Sequence, residues 1–527
     1  MITLEHLPPP PVFGQVTAFE NDGRLQALLG SEALITAKKW LGEGMYIEVE
    51  VGQEPVRTAH SKQEAREAFY AHTETPWQRV MFAYYEEGWE AAVHEMIKCR
   101  GEGSLHDVAS TVASLIIKMS SLIAKVHTLL PSPKKIKAPY DVAQDRGRCD
   151  GSIVSVAWHP NTNTLAAVIC DDTVRVFTAG QPNKPILKHR LQKSITSIAW
   201  MPFSALVLAV GCEAGVLLWH LDPLNAMLRP SGSCATFLPC PGTSPITTLS
   251  WHPRGNVLVC AGGSSSQVVV WDVWREVSVV VHSGSGGTVT LAVWSPDSSR
   301  LFVAYSSKIM RVFETHGWNY EQWSVDSPVV SAVWSRRGHL LLFVTQEDPV
   351  LYHLAFLPGE GVGGTQVAAQ VADLTQIAVA TLEGDQISVG GAVKQIAWDP
   401  RSERLAVVFH NSQLLALFHT HTHPSLHLAP GGFICGEPGC VPVTVSFQQN
   451  LSSGAVLSVV WSSGKVTHLP MRYSSRDPLA ASFIHNTSLS HAHSTTLPNT
   501  SFTVNSFFTN NVSPISSPLT GRLFSSP

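Results

Sequence analysis

Four histidines and two cysteines crowd a short stretch late in the sequence: His419, His421, His423 and His427, then Cys435 and Cys440. Imidazole and thiolate are zinc ligands, so this is where metal chemistry would be sought first. Histidines at alternate positions, however, line one face of a strand, and Gly436-Glu437-Pro438-Gly439 between the cysteines reads as a turn. Gly359, Gly361, Gly363 and Gly364 resemble a phosphate cradle, yet no strand-to-helix context follows and Gly-Lys-Ser/Thr occurs nowhere. Gly-x-Ser-x-Gly, His-Glu-x-x-His and the kinase motifs are missing as well. The chain is therefore read as non-enzymatic, with no catalytic residues, no metal, no cofactor and no small-molecule substrate.

The elements that would position such residues announce themselves by repetition. Ser152-Ile153-Val154-Ser155-Val156-Ala157-Trp158-His159-Pro160 returns as Ser194-Ile195-Thr196-Ser197-Ile198-Ala199-Trp200-Met201-Pro202. Further copies end at Trp251-His252-Pro253, Trp294-Ser295-Pro296, Trp334-Ser335-Arg336-Arg337-Gly338 and Trp398-Asp399-Pro400, and a weaker one at Val443 to Phe447 makes seven. After each of the first six, a second aromatic follows 18 to 20 residues on: Phe177, Trp219, Trp271, Phe313, Tyr352 and Phe418.

Each copy parses as strand, turn, strand, turn, strand. Val-x-x-Val-Ala-Trp is the first strand, Leu165 to Ile169 the second, and Val174 to Phe177 an alternating third after the turn at Asp171-Asp172-Thr173. A fourth strand is placed in the variable stretch before the next copy. Four strands make one blade, and a period near that of WD repeats, with Trp271-Asp272 surviving literally, predicts radial closure. The expected fold is all-β: a seven-bladed WD-repeat β-propeller with an N-terminal, mainly helical extension and a disordered C-terminal tail. The structural repeat anchors are Trp158, Trp200, Trp251, Trp294, Trp334, Trp398 and Phe447, with Asp171, Trp271 and Asp272 completing the pattern. Longer spacings place insertions at Pro223 to Pro245 and around Gly359 to Gly364.

Three regions follow: an extension over 1–140, the propeller over 141–472 and a flexible Ser/Thr/Asn-rich tail over 473–527. Gln15 to Phe19 is a short strand candidate able to complete the last blade. Residues 60–130 change to helical spacing, with Ser104 capping a helix whose apolar face runs from Leu105 to Leu129. Lys134-Lys135-Ile136-Lys137 reads as a solvated linker. In the tail, Ser513-Pro514, Ser517-Pro518 and Ser526-Pro527 offer proline-directed phosphorylation sites.

Charge and composition narrow the partners. The 36 Lys and Arg against 40 Asp and Glu leave a net charge of −4, which offers no general field for a phosphate backbone, so no direct nucleic-acid contact is expected. Nine scattered cysteines suit a reducing compartment. The Pro-rich start lacks the basic and apolar regions of a signal peptide, and the longest apolar stretch, Leu115 to Leu130, is broken by Lys118 and Lys125. Any membrane association is expected to be indirect.

Read together, several motifs resemble the aladin family of WD-repeat nucleoporins. They run in order from Pro8-Pro9-Pro10-Pro11 and Gly14-Gln15-Val16-Thr17, through Trp158-His159-Pro160, Asp171-Asp172-Thr173-Val174-Arg175-Val176 and Lys188-His189-Arg190-Leu191-Gln192. Val270-Trp271-Asp272-Val273, Val293-Trp294-Ser295-Pro296-Asp297, Gly436-Glu437-Pro438-Gly439 and Leu457 to Gly464 follow. The resemblance spans roughly residues 8 to 470 and stops before the tail. It implies a scaffold subunit of the nuclear pore complex at the nuclear envelope, anchored by a transmembrane nucleoporin among other pore subunits. Support of nucleocytoplasmic transport of protein and mRNA, and a place at spindle poles in mitosis, come with it. The competing reading from the repeats alone is a WD-repeat adaptor in a chromatin or ubiquitin-ligase assembly.

Overall fold

The computed structural model describes residues 1–49 and 153–473, apart from 13, 43, 182, 205, 222–229, 241, 283–286, 357–366, 381–385, 424 and 452–453. Within them, six four-stranded antiparallel blades occupy 153–187, 197–239, 246–282, 289–324, 329–373 and 393–435. A seventh is built from Pro442–Gln448, Gly454–Trp461 and Val466–Arg472 together with strands from the N-terminus. The first strands of consecutive blades touch all the way round, including from blade seven back to blade one, so they line the axis of a closed ring. The all-β, seven-bladed expectation holds.

Burial explains why the sequence alternates in some strands and not in others. Second strands such as Thr164–Ile169, Leu340–Thr345 and Arg404–Phe409 are buried at every residue, because each of their faces meets a neighbouring blade. First strands, such as Ile153–Trp158 and Val329–Trp334, bury only alternate positions toward the end that carries the tryptophan. In six blades the pairing of the first strand slips near its start, as between Ile153 and Ser155 or Val393 and Gln395. A recurrent bulge of this kind sharpens the twist a strand needs at the axis of a propeller. Seven apolar cores result, each lying between two consecutive blades.

The first 49 residues, which sequence assigns to an extension, are stitched into the ring. β1 (Ile2–Thr3) pairs in parallel with the outer strand of blade five, and Leu4 and Leu7 sink into the core between blades five and six. β2 (Gln15–Asn21) pairs in parallel with Val466–Arg472 of blade seven, Glu20 facing Met471 and Asn21 facing Arg472. The strand candidate at Gln15 thus occupies the fourth position of the last blade. β3 (Arg24–Leu29) folds back on β2 through Asp22 and Gly23, both at positive φ (50° and 85°), as an Asp-Gly hairpin requires. A Cβ on Gly23 would lie 2.9 Å from the His419 ring, so glycine is needed for space as well as for φ. α1 (Gly30–Leu41) covers β2, with Trp40 stacked on Phe19, and Ile47 and Val49 then reach the core between blades seven and one.

The second insertion differs from the sequence expectation. Besides the Gly359 to Gly364 segment it holds a two-stranded hairpin, Ile377–Ala380 paired with Gln386–Val389, between blades five and six. That glycine segment, part of the Pro223 to Pro245 insertion, the helices proposed over 60–130, Lys134 to Lys137 and the tail with its Ser-Pro sites lie outside the described residues.

Candidate functional site at the joints of the ring

The six repeat tryptophans are all buried, and four do the same job. The indole N–H of Trp200 donates to the carbonyl of Ala157, Trp251 to Ala199, Trp294 to Ser250 and Trp334 to Val293, at 3.0 to 3.2 Å. Each acceptor belongs to the residue just before the tryptophan of the preceding blade. Side chain and backbone therefore tie blade to blade at one height around the ring, and the donor loses no hydrogen bond on burial. The residue after four of the tryptophans shapes the next turn: His159 Nδ1 accepts from Asn161 and Thr162 N–H, His252 from Arg254, and Ser295 and Ser335 from Arg300 and Leu340.

The remaining joints use side chains instead. Trp398 donates within its own blade to Thr420 Oγ1 at 2.9 Å. Phe447 is buried but has no side-chain N–H to give, and its joint with blade six is bonded by Gln395, whose amide accepts from Thr444 Oγ1 and Val445 N–H and donates to Val445 O. At the joint of blades seven and one, Trp158 donates to Ser458 Oγ at 2.8 Å and Ser458 donates to His468 Nδ1 at 2.7 Å. His468 Nε2–H then donates to the Ile47 carbonyl at 2.9 Å. This relay fixes the neutral tautomer of His468 with both nitrogens satisfied. Complete burial pulls its pKa down to about 4.

A second cluster clasps the closing strand. Glu20 of β2 is wholly buried, and Arg404 Nε–H donates to its Oε1 at 2.7 Å. The Asp399 carboxylate accepts from the N–H groups of Arg401, Glu403 and Arg404 and from the Tyr473 hydroxyl, whose ring carries the Arg404 guanidinium at 4.5 Å. Burial raises the pKa of both carboxyls; for Glu20 it outweighs the attraction of Arg404, and for Asp399 it outweighs three backbone donors. His419, with Nε2 3.6 Å from Glu20, is pulled to about 4, first by burial and then by the Arg404 and His421 charges. Cys435 donates its thiol to the Gln15 carbonyl on β2 at 3.1 Å. Among the described residues no group of three His, Cys, Asp or Glu side chains is placed to hold a metal.

The other sequence-selected residues are local. Asp171 is exposed and accepts from Thr173 N–H and Oγ1 in the turn. Trp271 is buried in the core between blades two and three, whereas Asp272 accepts from Arg275 N–H in the turn after it. Sequence reasoning missed Glu20, Arg404, Tyr473, Gln395 and the role of His468. The Asn21-Asp22-Gly23 hairpin signal was available to mark β2 and β3; nothing in the repeat marked the clasp.

Seven blades with repeat tryptophans at their joints and a last blade completed from the N-terminus define a closed β-propeller of the WD-repeat class. The chain belongs to the Aladin seven-bladed propeller family, whose match covers residues 136–472. It is also similar to "Aladin" of Arabidopsis thaliana, 27% identical over 376 residues, which is 65% of this chain and 80% of that protein. Among solved structures, the β-propeller domain of Myceliophteria thermophila Cps50 (Swd1) is 15% identical and aligns with a TM-score of 0.46 over 61% of this chain and 98% of that one. Among the described residues no helix is long and apolar enough to cross a membrane.

Proposed function

We propose that the chain is a non-catalytic scaffold subunit of the nuclear pore complex, held at the nuclear envelope by a transmembrane nucleoporin. In this role it supports nucleocytoplasmic transport of protein and mRNA, with a further place at spindle poles in mitosis. The observation that carries the reading is membership of the Aladin propeller family across the whole ring. The geometry is compatible with it: the repeat tryptophans are spent on holding blades together, which leaves turns and insertions to meet partners. The test is live imaging of the fluorescently tagged full chain, with and without depletion of pore-membrane nucleoporins. A punctate nuclear rim that disperses on depletion is the expected result. A diffuse signal from protein with an unchanged melting temperature would overturn it in favour of an adaptor in another assembly.

A further inference from the structure

Blades five and six bring together a cleft that the scaffold reading does not use. The turn after Trp334 supplies Ser335, Arg336, Arg337 and His339; the turn after Trp398 supplies Arg401 and Ser402; the hairpin after His421 supplies Thr422 and His423. They enclose about 400 Å³ with three guanidinium groups, two imidazoles, three hydroxyls and no carboxylate in the lining.

The cleft is held in shape from behind. Arg336 N–H donates to Ser402 Oγ at 2.8 Å, bracing one turn on the other, and Ser402 sits at φ 59° while only 4% exposed. Gly338 has φ 71°, and a Cβ there would come within 2.5 Å of Asp297 Oδ1 in blade four. Arg337 donates to His423 Nε2 at 2.6 Å, and the His423 ring stacks on that of His339 at 5.8 Å. Two nearby carboxylates are engaged by turns: Asp399 accepts three backbone N–H groups and the Tyr473 hydroxyl, and Asp297 accepts from Ser299. The pKa of His339 is lowered, by burial first and then by the charges of His423 and Arg337. Its positive charge therefore rests on the three guanidinium groups, with no acidic side chain among the lining residues.

We propose that this cleft is a docking site for a phosphorylated serine or threonine side chain of a partner protein. A phosphomonoester brings close to two negative charges and three acceptor oxygens, which suits a cleft lined by three guanidinium groups and three hydroxyls, whereas one carboxylate carries only one charge and two oxygens. A bilayer is a poorer fit, because the lining is concave and none of the exposed large hydrophobic side chains belongs to it. A nucleic-acid track would need basic charge extended beyond one pocket, on a chain whose net charge is −4.

The test uses the purified full chain and three immobilised degenerate peptide pools centred on phosphoserine, serine or aspartate. Soluble O-phosphoserine serves as competitor and phosphatidylserine vesicles as a separate probe. Selective retention on the phosphoserine pool, displaced by O-phosphoserine, is expected. Arg336→Glu with Arg337→Glu should lower that affinity at least about tenfold at unchanged melting temperature, as the loss of charge-assisted bonds to phosphate predicts. Arg337→Gln should weaken it less, and Arg254→Glu, in the corresponding turn of blade three, should leave it unaltered. Equal retention on the aspartate pool, undiminished binding by the double variant, or binding to vesicles without binding to peptides would each overturn the proposal. None of these outcomes depends on where the protein resides in the cell.

Discussion

Blades two to five and the sector from blade six through blade seven to blade one close the same ring by different chemistry. In the first, an indole N–H meets the backbone carbonyl of the preceding blade four times over. In the second, that bond never recurs: Thr420, Gln395, Ser458 and His468 supply side-chain partners, and Glu20 with Arg404 adds a buried ion pair. A backbone acceptor is present whatever residue stands there, so the repeated joint tolerates sequence drift at its acceptor position. Alanine at 157 and 199, serine at 250 and valine at 293 all serve. The closure must also bind a segment more than 380 positions away in sequence, and directional side-chain bonds fix the register of that strand.

The largest effect should come from breaking a repeated joint. Trp251→Ala removes a buried indole and its bond to Ala199, leaves an aromatic-sized void, and is expected to cost about 3 to 5 kcal/mol. A melting temperature within a degree of the parent would contradict it. Glu20→Gln probes the other sector and should cost less, about 1.5 to 3 kcal/mol, the worth of a hydrogen bond to a charged group. Its signature is local. Hydrogen exchange and proteolysis should rise over residues 15–29 before the blades melt, whereas Trp251→Ala should loosen blades two and three. A uniform loss of protection in both variants would erase the distinction between the sectors.

The repeated sector was legible in the sequence and the closure largely was not, for a physical reason. An aromatic at the end of every first strand is visible because each blade meets the same neighbours, so burial imposes the same residue at the same offset. Even there, the hydrogen-bond acceptor lay some 41 to 52 positions upstream and left no mark, since a carbonyl has no residue type. Glu20 and Arg404 each occur once, and neither resembles a core residue until the ring is closed around them. The basic cleft is similar: Arg336 and Arg337 were in view as part of a repeat copy, but only blade packing sets Arg401 and His423 opposite them.

Acid separates the sectors by a smaller margin. His468 and His419 have folded pKa values lowered to about 4, against an unfolded value near 6.5, so the folded state favours their neutral forms. Stability from each is complete above about pH 6.5 and is lost as pH falls toward 4, by about 1.4 kcal/mol per unit. Protonating His468 removes the acceptor that Ser458 needs and strands a charge at the joint of blades seven and one. The gap between melting curves at pH 7.5 and 5.5 should therefore narrow when His468→Gln is introduced, with the part that His419 contributes left in place. An undiminished pH dependence in that variant would remove the histidine from the account.

The smallest effect is expected at the residue that gives the repeat half its name. Trp271 is buried between blades two and three, but Asp272 only accepts from Arg275 N–H at 3.3 Å and faces its guanidinium at 3.8 Å, with Arg275 62% exposed. A solvent-screened pair and one turn bond add little, so Asp272→Ala should change stability by no more than about 0.5 kcal/mol. Asp399, the same residue type at another repeat position, is buried and holds four donors, and its replacement by alanine should cost more. Equal losses for the two variants, measured by chemical denaturation, would mean that the repeat pattern and not the surroundings sets the value of an aspartate. A large difference would place that value in the closing sector, where one carboxylate organises a turn and anchors Tyr473 at the end of the last blade.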